Sequence, residues 1–304
     1  MHNPGAGRGE HEAEDLMALL AKAGHDARYQ STRDDECAGA LAQPADVVIA
    51  AGGDGTVEKV ARLLVGRGIP LSILPLGTAN NLARTLGFHG SPEELIPRLE
   101  SGQRRRFDVG LARGPWGERR FFEGAGAGLL PDYMRAVAAI PEMEETAEAL
   151  SKQQEVTRHV SLLSHMLPKY DARHWEIILD GEELSGSYLL VEAMNIRSIG
   201  PGLALAPQAE TGDGQFDFVA VREGDRAQLD DYLAAHAAGK EIAFPISARR
   251  FRHLRLRWDK GAMLHFDDKT WPDKDERAPQ QGEMEITIEP SALEFFLPGD
   301  EVRE

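Results

Sequence analysis

The residues best suited to chemistry in this chain are glycines with one carboxylate among them. Gly52-Gly53-Asp54-Gly55-Thr56 ends an apolar strand, Val47 to Ala51, and opens a stretch in which Val57, Val60, Ala61, Leu63 and Leu64 recur at helical spacing. Glycine lets backbone N–H groups approach an anion without steric hindrance, and a helix start aims the positive end of its dipole at the same point. Phosphate is the ligand such a turn accepts. Asp54 would repel a bare phosphate there, so its presence implies Mg²⁺ between carboxylate and phosphate, that is, a metal nucleotide. Two more glycine turns, Asn3-Pro4-Gly5-Ala6-Gly7 and Gly77-Thr78-Ala79-Asn80-Asn81, stand at other element ends. The loop lacks the Lys-Ser/Thr ending of a Walker A motif and does not follow Gly-x-Gly-x-x-Gly. Gly124-Ala125-Gly126-Ala127-Gly128 comes nearer the latter, has the wrong spacing, and reads as a close-packed turn.

Short apolar strands alternating with helices predict an α/β N-terminal nucleotide-binding domain with a parallel sheet. Leu16, Leu19 and Leu20 mark a helix within residues 10–24; a second strand runs from Ile69 to Leu74, and a further helix reaches Leu86. From about Arg106 the texture changes to strands separated by turn residues: Phe107–Ala112, Phe121–Gly124, Trp175–Leu179, Tyr188–Met194, Phe216–Val221, Leu254–Trp258 and Glu285–Glu289. These predict a mainly antiparallel, β-sandwich-like C-terminal domain with a helical insertion from about Glu142 to Leu167. In that insertion Val156, Val160, Leu163 and Leu167 form an apolar stripe. Packing against the β domain is its first reading, and a lid or interfacial helix over a lipid the second. The expected division is 1–105, with 298–304 as a candidate completion, and a substrate-binding domain over 106–297. Asn3 to Gly7 looks like the loop after a first strand that the chain does not show; either that strand is missing from the start of the chain or another segment takes its place in the sheet.

The chain has 304 residues and a formal charge of −16, which argues against nucleic acid as a partner and against tight attachment to anionic lipid. Arg104-Arg105-Arg106 and the segment from Arg249 to Arg257 are local exceptions that read as solvated faces, with Arg255 and Arg257 alternating against Leu254, Leu256 and Trp258. No run of about 18 apolar residues and no signal core is present, so a cytoplasmic protein with at most transient contact at the inner membrane surface is expected. Cys37 is the single cysteine and excludes an internal disulfide; the ten histidines show no metal-ligand spacing backed by carboxylates.

Asn3-Pro4-Gly5-Ala6-Gly7, Gly52 to Thr56 and Leu76-Gly77-Thr78-Ala79-Asn80-Asn81-Leu82-Ala83-Arg84, in this order, resemble the diacylglycerol kinase catalytic family, which includes bacterial lipid kinases and sphingosine kinases. Asn195, Gly200-Pro201-Gly202, Pro207 and Asp213-Gly214-Gln215-Phe216-Asp217 resemble its second-domain landmarks. The resemblance implies ATP on the α/β lobe, a hydroxyl-bearing lipid held by the β domain across an interdomain cleft, and a place in phospholipid metabolism. The nucleotide contacts it implies map onto Asn3, Thr32, Gly52, Gly53, Asp54, Gly55, Thr56, Val57, Glu58, Gly77, Thr78 and Asn80. A structural Mg²⁺ would fall at Glu210, Asp213 and Gln215, with Asp213 as the side-chain ligand. The catalytic carboxylates would be Asp54 and Asp267, the latter the base that takes the acceptor's hydroxyl proton. The chain departs from the family at Lys59, at Asn81 and at Lys269, where the base is followed by Asp268-Lys269 rather than Gly-Glu. Asp180-Gly181-Glu182 lies between two strands and reads as a turn. A nucleotide- or lipid-binding module without catalysis, and a kinase of a soluble acceptor, are the alternatives. Oligomeric state is left open.

Overall fold

The computed structural model describes residues 1–9, 11–140, 150–240, 242–273, 276–277 and 279–299. The chain divides into two compact units, Met1–Phe107 with Ser291–Glu304, and Asp108–Pro290. Residues 300–304 of the candidate completion, and the start of the predicted insertion at 142–149, lie outside the described residues.

The first unit is an α/β layer. Strand β1 (Val48–Gly52) pairs in parallel with β2 (Leu71–Pro75), in register from Val48↔Leu71 to Gly52↔Pro75. Their residues are almost all buried, as a parallel sheet covered on both faces requires. Met1 to Asn3 run beside β1: His2 forms parallel bridges to Ala51 and Ser31, and Asn3 N–H donates to the Ala51 carbonyl at 3.0 Å. On the far side of β2 the end of the last strand joins in parallel, with Phe295 opposite Leu71. Helix α1 (Ala13–Lys22) buries Leu16 and Leu20, one turn apart, and ends before Gly24 at φ 85. Helices α2 (Asp54–Leu64) and α3 (Asn81–Leu86) each start at a glycine turn. Helix α4 (Pro92–Arg98) starts at Ser91, with Pro92 in its first turn and Glu94 completing a capping box.

The second unit is built from antiparallel ladders. The chain enters it within β3 (Gln103–Gly114), which pairs with β4 (Gly117–Phe121). Strand β5 (Gly124–Gly128) follows, then β6 (Arg173–Leu179), β7 (Glu182–Glu183), β8 (Gly186–Met194) and β9 (Phe216–Arg222). The remaining strands are β10 (Arg249–Phe251), β11 (Leu254–Trp258), β12 (Leu264–Phe266), β13 (Lys269–Trp271) and β14 (Gly282–Leu297). Strand β6 changes sheets midway, pairing at Arg173–Trp175 with β8 and at Glu176–Leu179 with β11, which is how a sandwich corner is made. Phe121, Trp175, Phe216, Phe251, Leu256, Phe266 and Ile286 fill the core between strands.

Three helices cover another face: α5 (Leu129–Ala138), α6 (Lys152–Met166) and α7 (Arg226–Ala237) pack Leu130, Val160, Leu163 and Leu233 onto Leu189, Val219 and Val221 of β8 and β9. The packing role expected for the insertion is what α6 shows, with Val160 and Leu163 fully buried. Sequence periodicity predicts one helix here, and three are found among the described residues. Gly124 to Gly128, expected as a turn, is a fully buried strand between β8 and β12, and only Gly128, at φ 96, turns the chain into α5. The strand expected over Glu285–Glu289 is longer, continuing to Leu297 because its second half belongs to the first unit's sheet. Among the described residues no helix is long and apolar enough to cross a membrane.

Candidate active site

In the first unit the sequence-predicted glycines meet. A Cβ built on Gly53 would lie 3.2 Å from the Gly77 Cα, and one built on Gly77 would collide with the Gly53 Cα, so the two turns are in backbone contact that only glycine permits. Gly53 is the N-cap of α2, whose Thr56 and Val57 amides return to the Gly53 carbonyl at 2.9 and 3.1 Å. The first-turn amides of Asp54 and Gly55 stand at the positive end of the helix dipole. Asn3 donates from Nδ2 to the Thr56 hydroxyl at 3.3 Å, bringing the first glycine turn to the same place.

Several candidate side chains are occupied in building this cradle. Asp54 Oδ1 accepts from Leu82 N–H at 3.2 Å, which fixes its carboxylate at the start of α3. Asn80, in the left-handed region at φ 50, accepts from Gly77 N–H at 3.0 Å and donates to the Gly77 carbonyl at 2.8 Å, closing its own turn. Thr32 is buried and its hydroxyl donates to the His2 carbonyl at 3.2 Å. Lys59, the family's acidic position, donates to the Thr32 carbonyl, while buried Glu58 pairs with Arg62 and Val57 is a core residue. What remains for a ligand is therefore mostly main-chain N–H, the chemistry of phosphate recognition.

In the second unit Asp267 sits just after β12, in the left-handed region at φ 53 and 5% exposed. Its Oδ1 accepts from the N–H groups of Phe122, Glu123 and Gly124 at 2.9, 2.7 and 3.2 Å, and its Oδ2 from Phe122 at 3.0 Å. Asn195 secures that donor segment from behind, donating from Nδ2 to the carbonyls of Phe122 (2.9 Å) and Asp108 (2.8 Å). Asp108 in turn accepts Gly214 N–H at Oδ2, 2.7 Å away, and its own N–H reaches the Thr211 carbonyl at 2.7 Å. One connected network thus runs from the Thr211–Gly214 turn to Asp267. Lys269 is exposed and pairs with Asp268 at 3.0 Å, so the charge reversal noted in the sequence is answered by its neighbour. Asp180 and Gly181 occupy a tight turn at φ 49 and 89, where the Asp180 carboxylate accepts the amides of Arg252 and His253, as expected of a structural turn.

At the expected metal position, Asp213 Oδ1 accepts from Gln215 N–H at 2.9 Å and Oδ2 is ion-paired with the Arg250 guanidinium. Among the described residues no cluster of three His, Cys, Asp or Glu could hold a metal. Glu210 acts instead on Asp217, whose carboxyl is pushed up by burial first and by Glu210 second.

Sequence reasoning passed over Asp108, Glu192 and His265. The last two leave a signal: Glu192 is the one charged residue in the apolar run Tyr188–Met194, and His265 lies two residues before Asp267 on a buried strand.

Comparison with known proteins follows the same division. The profile of the diacylglycerol kinase catalytic domain matches residues 1–112, and that of the YegS C-terminal NAD kinase beta sandwich-like domain matches residues 140–296. A diacylglycerol kinase of Bacillus subtilis is 28% identical over 258 residues, covering 80% of this chain and 79% of the relative. One from Mycobacterium tuberculosis is 27% identical over 222 residues, covering 72% and 67%. The crystal structure of a diacylglycerol kinase from Bacillus anthracis superposes with a TM-score of 0.70 at 20% identity, covering 97% of this chain and 95% of that one, and shows the shared fold. The chain belongs to the diacylglycerol kinase catalytic family and is a phosphotransferase whose acceptor group is a hydroxyl.

Proposed function

We propose that the protein transfers the γ-phosphoryl group of Mg-ATP to a hydroxyl of diacylglycerol or a related lipid. The observation that carries this reading is the backbone contact of Gly53 with Gly77 at the N-terminus of α2, which leaves main-chain amides and a helix dipole facing a polyanion. Mg-ATP enters as substrate, its triphosphate on those amides, with Asp54 beside them at the start of α3. Asp267 is the group proposed to take the hydroxyl proton. Phosphoryl transfer passes through a loose transition state that asks for positioning and charge stabilisation more than for a strong base, and a carboxylate fixed by main-chain amides supplies position. Diacylglycerol kinases among the relatives support a lipid as acceptor.

The test is incubation with Mg-ATP and a panel of hydroxylated lipids and soluble alcohols, following ADP and phosphorylated product. Phosphorylated lipid is expected, with turnover lost in Asp54→Ala. In Gly77→Ala, ATP affinity should fall at least about tenfold because the new methyl forces the two turns apart. Undiminished turnover in both variants rejects the assigned loop, and product only from soluble alcohols rejects the lipid.

A further inference from the structure

Behind Asp267 lies a buried ionisable pair that the reaction as described does not use. Strands β8, β5 and β12 run side by side, with Gly126 opposite both Glu192 and His265. A side chain on Gly126 would collide with the Glu192 carboxylate; its absence lets Glu192 reach across the middle strand to His265, Oε2 to Nε2 at 2.8 Å. Both side chains are 0% exposed. His265 Nδ1 lies 3.1 Å from the Asp267 carbonyl oxygen, and since a carbonyl only accepts, Nδ1 carries a proton. Burial opposes the charged imidazole, but Glu192 and the Asp267 main chain outweigh it and hold His265 above its ordinary range. Burial also pushes the Glu192 carboxyl up, against the opposing pull of His265.

Such a pair is costly. Glu192 Oε1 has no hydrogen-bond partner among the described residues, and buried ion pairs commonly stabilise no better than apolar replacements. Among the described residues its side-chain link outward is to Asp267, a non-glycine residue at positive φ whose peptide orientation needs holding.

We infer that His265, backed by Glu192, is a positioning residue that fixes the main chain of Asp267 so that its carboxylate meets the acceptor hydroxyl. The inference rests on the reading of Asp267 as the base. Main-chain amides grip the carboxylate from one side and the imidazole grips the carbonyl from the other, and misplacement by about 1 Å at a reacting group costs about a hundredfold in rate.

The experiment compares His265→Ala with His265→Asn, both in a Glu192→Gln background so that no unpaired carboxylate stays buried. The Asn amide nitrogen can replace Nδ1 as donor to Asp267. Crystal structures, ATP affinity, and kcat and KM with dioctanoylglycerol as the probe acceptor are measured. In the Ala variant the Asp267 peptide should leave φ 53, Oδ2 should move by about 1 Å or more, and kcat should fall at least about tenfold with ATP affinity unchanged. The Asn variant should recover most of that loss. An Asp267 carboxylate unmoved in the Ala crystal structure, or equal kcat losses in Ala and Asn, overturns the inference. Asp267→Asn with wild-type kcat overturns the base reading alone, since the crystallographic displacement is read without turnover.

Discussion

A guanidinium neutralises a carboxylate as a divalent ion does, but no chelator can remove it. Arg250 does this for Asp213, at the turn where the family's landmarks place a structural metal. EDTA should therefore leave the melting temperature of the nucleotide-free protein within about 1 °C of its untreated value, because an ion bound only to the native state would add to stability by mass action. Arg250→Ala should lower it, since Asp213 then loses its counter-charge. A chelator-induced drop of several degrees in the wild-type protein would show that an ion is bound. At this scale the glycines of the nucleotide loop were legible because their type and spacing are the chemistry. Arg250 was not: it lies 37 positions from Asp213, and nothing in its neighbours says that β10 brings it there. Asn80 was legible as a site residue but not as one that spends both ends of its amide on its own turn.

Among elements, α6 and α5 meet through a hydrogen bond with a pH-dependent consequence. Tyr133 O–H and His159 Nδ1 are 2.6 Å apart, and burial, joined by Arg158 and opposed by Glu155, lowers the proton affinity of His159. The folded protein thus resists protonating a histidine that the unfolded chain protonates at about pH 6.5. Unfolding then takes up a proton, so stability falls as pH drops below about 6.5 until the depressed folded value is reached. His159→Gln should flatten this part of a melting-temperature profile between about pH 7.5 and about pH 5.5; an unchanged slope would assign it to other groups. Strands with one apolar face were readable from alternation. Gly124 to Gly128 was not, because its only side chains are the methyls of Ala125 and Ala127, too small to mark an apolar face among glycines. Helix α7 was missed because only Leu229, Tyr232 and Leu233 of its twelve residues are buried, too narrow a stripe to stand out.

For the whole molecule, net charge governs encounters with surfaces. Several cations of the basic runs are paired among the described residues: Arg104 with Glu294, Arg249 with Glu182, Arg255 with Glu283 and Arg257 with Glu176. With −16 overall, association with anionic phosphatidylglycerol vesicles should be weaker than with neutral phosphatidylcholine vesicles at about 10 mM salt. The difference should close by about 150 mM, as the Debye length falls from about 30 Å to about 8 Å. Stronger binding to the anionic vesicles in cosedimentation would reveal a basic docking face that the ion pairs hide. The α/β and β-sandwich characters were legible from texture. The return of the last strand to the first sheet was not, since pairing across such a separation leaves no local mark.

That return has a consequence for synthesis. Phe295 joins Leu71 only after more than two hundred intervening residues have left the ribosome, so the N-terminal sheet spends most of translation with an open edge. The stretch from Asp108 to Pro290, uninterrupted in sequence, can close its own contacts first. A nascent chain halted before residue 291 should already protect the later half from protease while the glycine cradle stays open to cutting.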